Sequence, residues 1–473
     1  MNTRATLLSM LLATATFLAA PLPARVTQAA NQTADYERQI EQTIPTTPGA
    51  RIEVEHSLGQ LEITASSRSD VKLAGHIAVR GEGAQAFGEG IKVNVTETPH
   101  GLVIKTSYPE SEGKDLSFGL DLTLQIPVGH DVAAHNAFGD LHCSGVRGEL
   151  RVEAGHGNTS IRDIEGPLDV TAAFGTVTLE NLRGKVTVQT GNGSVKANQV
   201  AGDEVSIASS FGTIALKDVR GEVRLRNSNG GIEVAHVEGS LDAATSFGSQ
   251  TFADIRGSLK CKGANGAIKA SEVRGDAEVE TAFGDIVLVK VGGKVSAIVK
   301  NGSATVKEVT GDARLGVTFG KARAESVGGS CRVNGVNTPV AVQGAGGHVE
   351  IETTFGPIDV SDVRGHVKMQ AKNGNIRARG LSYRRDLEGN RIEASTLFGS
   401  IEIALPDPPS MRLDAATTFG SIQSDFPLSG VEKGLSSEKC THYFGSGEAQ
   451  VSLKSTNGNI RITKEKARKG EPL

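Results

Sequence analysis

The sequence predicts an all-β protein, a parallel β-solenoid of about 18 residues per coil with less regular β caps at both ends. Three observations carry this. Phe-Gly recurs at Phe138, Phe174, Phe211, Phe247, Phe283, Phe319 and Phe355, in steps of 36 or 37 residues. His156, Asn192, Asn229, Asn265, Asn301, Asn337 and Asn373 fall midway between, so the unit is an 18-residue coil with Phe and Asn alternating at one corner. Glycine marks a second corner at the same period from Gly148 to Gly365, with one 19-residue step. Self-similarity sustained at a fixed period is the mark of a solenoid and outranks any local motif.

Composition bounds the rest. The 473 residues carry 50 Lys+Arg against 54 Asp+Glu, a net charge of -4, and no basic run long enough to follow a phosphate backbone. Nucleic acid is therefore not an expected partner. The 58 glycines sit at fixed phase, so they read as corners rather than as flexible linkers.

In chain order, residues 1–30 read as a signal peptide. Arg4 supplies the positive start, and the apolar run Leu7 to Ala20 is shorter than the roughly 20 residues of a membrane span. Cleavage is expected after Ala29, with Thr27 at the -3 position. No cysteine directly follows that run, so lipid attachment there is unsupported, and no second apolar segment of spanning length appears, so the mature chain is expected to carry no transmembrane segment. Its expected location is the periplasm, the cell envelope or the extracellular space.

Residues 31–135 read as a polar leader, Asn31 to Ala50, and an N-terminal β cap region of alternating strands that covers the first coil's open edge. Residues 136–380 form the regular solenoid, with two short strands per coil. Alternation points Ile214 and Leu216, then Val223 and Leu225, toward the core. The outward column Arg224, Asp242, Lys260, Glu278 alternates in charge, which suits register control and solubility. The corner residue has inward parity. Phe is accordingly expected to fill the bend of the core, and Asn to bond turn backbone groups.

The step from Phe355 to Phe398 is 43 residues, which places an inserted loop at 381–391. Residues 392–473 form the C-terminal coils and cap. The closing SLKSTNGNIRITK has the polar and basic residues of a capping edge. Four cysteines invite a disulfide reading, but Cys261 and Cys331 are nearly four coils apart and Cys143 is farther still. A spacing of about 19 Å, at roughly 4.8 Å per coil, exceeds the reach of a disulfide. Cys143, Cys261 and Cys331 occupy inward positions as small hydrophobes, and Cys440 has no assigned place.

The GQLEIT opening, the LTLQIPVG strand, the recurring FGxIxV and NGxIxA units, LFGSIEIALP and STNGNIRITK together resemble the bacterial putative-adhesin family. That is a large group of exported β-solenoid domains of unknown molecular function. The resemblance covers nearly the whole mature chain, implies an envelope location, and carries over no catalytic residues.

The sequence holds no phosphate-binding Gly-Lys-Ser/Thr loop, no Gly-x-Ser-x-Gly turn, no His-Glu-x-x-His and no paired Cys-x-x-Cys. Asp218, Asp254 and Asp362 precede Val/Ile-Arg-Gly at a corner. They read as turn residues paired with Arg220, Arg256 or Arg364, not as an inverting carboxylate pair. His348 and His366 stack on adjacent coils without a third ligand and read as a solvated column. Tyr383, Arg384 and Arg385, on the inserted loop, are the candidate ligand contact, suited to an acidic glycan or a protein partner. No catalytic, cofactor-binding or metal residues are expected, and no cofactor. The functional reading is an exported envelope or surface protein acting as a non-catalytic, adhesin-like structural or interaction module. The alternatives are an envelope-stress sensor and a glycan-active β-helix enzyme.

Overall fold

The computed structural model describes residues 34–111, 115–382, 391–407, 409–445 and 449–465. The expected signal peptide and Tyr383, Arg384 and Arg385 lie outside the described residues. The chain is a parallel β-solenoid of about 14 turns with about 18 residues per coil. Among the described residues, 41 strands join one continuous hydrogen-bonded network, with one helix, Ala84–Gly90.

One coil shows how the sequence dictates the form. Leu241–Phe247 and Gln250–Ile255 are its two strands, and each stacks in parallel on its equivalent in the next coil, Leu241 on Leu259 and Gln250 on Ile268. Alternate residues Leu241, Ala243, Phe252 and Ile255 are buried and join an apolar core that runs from Ile44 to Ile462. Stacking in register makes every coil bury the same positions, so a period of 18 in sequence becomes columns in space.

Deviations from the period are absorbed locally. The 19-residue step is a register shift between Ala201 and Glu204. The extra residues before Phe398 appear as a step of 25 between stacked partners, Val367 on Ile392, after the usual step of Val349 on Val367. The corner between the strands is tight. Gly248 has φ +129°, and a Cβ there would lie 2.3 Å from the Gly230 carbonyl oxygen of the coil below, so only glycine fits.

At the N-terminal end, Arg51–Leu58 and Leu61–Ser66 form a coil stacked on Val132–Phe138 and Leu141–Ser144. Gly101–Ser107 and Ser117–Pro127 add outside it, and antiparallel strands Lys92–Thr98, Asp70–Arg80 and Tyr36–Pro45 finish that end. The helix Ala84–Gly90 packs Phe87 over Ile77, Val79 and Leu120 in a small second core.

Two expectations are corrected. First, the closing stretch is not a capping edge. Ala449–Asn457 lies between Arg391–Phe398 and Met411–Phe419, and Ile460–Lys464 lies between Ile401–Leu405 and Ile422–Ser424. Ala449, Val451 and Leu453 are buried, so the strand is as two-faced as any inner coil, and its basic residues only decorate the outward face. The outer cover comes from Glu438–Phe444 and Val431–Lys433, paired antiparallel.

Second, the corner phenylalanines do not fill the core; they are 43–58% exposed. Pairing runs from Thr245 on Gly263 to Phe247 on Asn265 and skips Ser246, so the chain bends one residue early and parity reverses. The buried residue at the bend is instead Thr245, whose hydroxyl reaches the Gly230 carbonyl at 3.2 Å. Thr281, Thr353 and Ser455 repeat that bond to the backbone below. These side chains satisfy the buried side of the turn, and the corner asparagines bond turn carbonyls on its exposed side, as expected, Asn265 that of Ser246 and Asn457 that of Leu397.

Candidate functional site

The corner residues form one exposed column along the rod. Stacked partners run Phe138, His156, Phe174, Asn192, Phe211, Asn229, Phe247 and onward without interruption. The alternation survives even where chain order is broken, because Asn457 of the inserted strand sits between Phe398 and Phe419. Rings recur every second coil, about 9.6 Å apart at the usual strand spacing. Phe138 and His156 have centroids 4.8 Å apart and planes within 4°, and His156 and Phe174 are 4.5 Å apart and within 8°. The ring faces therefore look along the rod, and the edges look outward. Between rings, Asn265 Nδ2 donates to the Ser246 carbonyl at 3.4 Å and Asn457 Nδ2 to that of Leu397 at 3.3 Å. The column is thus a row of exposed phenylalanines spaced by polar residues along one edge of the rod.

Beside the column lies a groove of about 900 Å³. Its floor is the buried residue two before each corner, Ala154, Ala172, Thr190, Ser209, Asn227 and Thr245, and the residue just before the corner, Gly155, Ala173, Gly191, Ser210, Ser228 and Ser246, forms the wall on the column's side. On its wall Arg226 holds Asp242 at 2.9 Å and Lys262 faces Glu280 at 3.9 Å, while Glu153 has His135, charged only when protonated, at 3.5 Å. Farther along, the position just before the corner becomes Lys300, Val336 and Lys372, and these larger side chains replace the small ones. The groove thus accompanies only the N-terminal part of the column.

A second column marks the other sheet edge. Eleven non-glycine residues, among them Asp218, His236, Asp254 and Asp362, sit in the left-handed region with φ of 51–59°. Asp218, Asp254 and Asp362 are thus turn residues, as expected. His236 stands between the first two in the stack, and its Nδ1 lies 3.0 Å from Asp254, which with nearby Arg256 and Arg274 holds that carboxyl below its usual range. Arg220 and Arg256 are paired with Glu238 and not with the aspartates, each at 3.0 Å.

His348 and His366 do stack, with centroids 4.6 Å apart. Each Nδ1 accepts a backbone N–H from the coil above, from His366 at 3.1 Å and from Arg391 at 2.9 Å, so one nitrogen of each ring is committed to the backbone. Among the described residues, no cluster of three or more His, Cys, Asp or Glu side chains could hold a metal ion. All four cysteines are buried thiols, and Cys440 finds its place on the cap strand opposite Ala415 and Val431. In the charged column, Lys260 faces Glu278 at 3.9 Å and Lys368 faces Glu350 at 3.3 Å, whereas Asp242 turns to Arg226 instead of Arg224.

No curated protein matches the chain by sequence. Among solved structures, it is similar to a putative cell adhesion protein from Clostridium sporogenes, with 8% identity over 90% of this chain and 100% of that one and a TM-score of 0.15. It is also similar to a putative adhesin from Bacteroides fragilis, with 11% identity over 66% of this chain and 97% of that one and a TM-score of 0.18. A putative adhesin from Parabacteroides distasonis shows 12% identity over 67% and 97%, with a TM-score of 0.16. The Toastrack DUF4097 family model matches residues 49–316 and 276–463, nearly all of the solenoid and both its ends, and the chain belongs to that family.

Proposed function

We propose that this protein is exported and works at the cell envelope or surface as a non-catalytic, adhesin-like interaction rod. The exposed phenylalanine column carries the reading. Leaving a half-exposed ring in water forgoes about 2 kcal/mol of burial. A chain that repeats this nine times, from Phe138 to Phe419, in phase and on one edge, presents a surface built for contact. The inserted loop with Tyr383, Arg384 and Arg385 is a second proposed contact, for an acidic glycan or protein.

The test is fractionation of the producing cells, followed by binding of the purified protein to envelope fractions. A Phe355→Ser/Phe398→Ser/Phe419→Ser variant and a Tyr383→Ala/Arg384→Ala/Arg385→Ala variant run alongside. Saturable binding lost in either variant supports the reading and locates the contact. A cytosolic protein, or binding that neither variant weakens, overturns it.

A further inference from the structure

We propose that His56 is an acid-sensitive latch at the joint between the coil stack and its N-terminal cap. Protonating it frees strand Ser117–Pro127, with the strands paired outside it, and uncovers the edge of Leu61–Ser66 while the coils beyond stay closed. Two cap strands meet the first coil at this joint. Gly101–Ser107 pairs with Arg51–Leu58 only as far as Glu55 on Lys105. At the following turn the backbone of Leu120, from Ser117–Pro127, lies so close that a Cβ on Gly59 would be 2.1 Å from its carbonyl oxygen. His56 stands between those two contacts and is buried.

His56 begins the buried bend column that continues through Asn136 and Ala154 and reaches Thr245 farther on. Asn136 in that column bonds the Gly59 carbonyl of the neighbouring level at 3.1 Å, Asn227 that of Gly212 at 2.8 Å, and Thr245 that of Gly230 at 3.2 Å. His56 departs from this pattern in two ways. Neither of its ring nitrogens has a hydrogen-bond partner among the described residues, and an unbonded buried polar group is uncommon in a native fold. Among the described residues, moreover, no other member of the column titrates. The ionisable bend residue therefore sits at the level where the facing carbonyl, that of Leu120, belongs to the cap and not to a coil.

The groups around it give an imidazolium little support. On its own strand, Glu55 is held at 2.5 Å by Lys105 of Gly101–Ser107. Just past that second strand, Tyr108 donates to the Leu58 carbonyl at 3.0 Å, and burial raises its pKa, so it stays neutral. On Val132–Phe138, His135 faces Glu153 at 3.5 Å, and in the next turn Asp140 accepts the Asn158 N–H at 2.8 Å. On Ser117–Pro127, Asp121 is exposed, lies opposite His76 and accepts the Gln60 N–H at 2.9 Å. Burial dominates and pushes His56 down to about 4, against the backbone of Leu120, the charge of Asp121 and the backbone of Gly59. The closed joint thus excludes a proton that the open joint takes up. Leu120 carries the effect outward. Its side chain is buried with Ile77, Val79 and Phe87 in the second core, and its strand pairs with Asp70–Arg80, which pairs with Tyr36–Pro45, so this layer opens as a unit.

Hydrogen–deuterium exchange of the purified protein, read by mass spectrometry at pH 7.5 and pH 5 and corrected for the intrinsic exchange rate, is the test. The open imidazole titrates near 6.5 and the closed one near 4, so the opening equilibrium should rise about thirtyfold between the two conditions. Peptides covering 117–127 and 70–80 should show that acceleration. Peptides covering 286–327 should stay protected over the labelling period in which the cap exchanges.

His56→Asn and His56→Gln should each remove the acid response of the cap. His135→Gln, which changes an exposed imidazole on the next coil, should leave it in place. Three results overturn the proposal: wild-type cap peptides indifferent to acid, coil peptides that label together with the cap, or an acid response that survives both His56 changes. The first two are read on the wild type alone, so the test stands even if neither variant folds.

Discussion

The hydroxyl of Thr245 lies 3.2 Å from the carbonyl oxygen of Phe247, two residues ahead, and equally close to that of Gly230 in the coil below. One buried side chain thus ties the bend of its own coil to its neighbour. Thr245→Val keeps the shape and removes the donor, leaving the Gly230 carbonyl short of this partner, while the Phe247 carbonyl still accepts the Gly230 N–H at 2.7 Å. The expected loss is about 1–2 kcal/mol in urea unfolding. Thr281→Val, two coils away with a bond of 3.4 Å to Gly266, should add to it independently.

Gly248→Ala should cost more. Its φ of +129° is closed to other residues, and the new methyl would sit 2.3 Å from a backbone oxygen that hydrogen bonding holds in place. The conformational part alone is about 1–3 kcal/mol. Thermal unfolding should show a clear drop, while Ser249→Ala next to it changes little.

His56 makes stability depend on pH. It is buried in the first coil, stacked on Asn136, and burial pushes its pKa down to about 4, partly offset by backbone groups of Leu120 and Gly59 and the charge of Asp121. Unfolded, it titrates near 6.5, so between these values the unfolded chain binds more protons. The folded state should be fully stable above about pH 6.5 and lose up to about 3 kcal/mol as pH falls toward 4. His56→Asn, the residue its stacking neighbour already uses, should flatten that part of the urea-midpoint profile.

The thiols should be inert. Burial pushes Cys143 and Cys331 up to about 12 and raises Cys261 and Cys440 as well. A colorimetric thiol reagent at pH 8 should find no fast-reacting group in the native protein and four after denaturation. Fast reaction of any one thiol in the native state would contradict this burial.

The coil was legible because its cause is local. Glycine is required where Gly248 meets Gly230, so the corner reappears in the sequence at the coil period, and Ile214 and Leu216 announce the inward face by simple alternation. Phe247 was misread because alternation assumes an unbroken ladder, and the skip at Ser246 reverses it. The Thr two residues before the corner, at 245, 281, 353 and 417, was the available signal. The place of Ala449–Asn457 was not legible, since any amphipathic strand of the same period fits any level of the stack.

That insertion has a consequence for how the molecule is made. The strand that fills the level between Arg391–Phe398 and Met411–Phe419 follows both of them in the chain, so those two levels cannot be joined correctly until it has been made. Stopping the polypeptide before Ala449 would leave a vacancy inside the rod, exposing two unsatisfied strand edges, instead of merely shortening it. The segment Ala449–Asn457 therefore serves as a keystone, and the coils on either side of it stay open until it is in place.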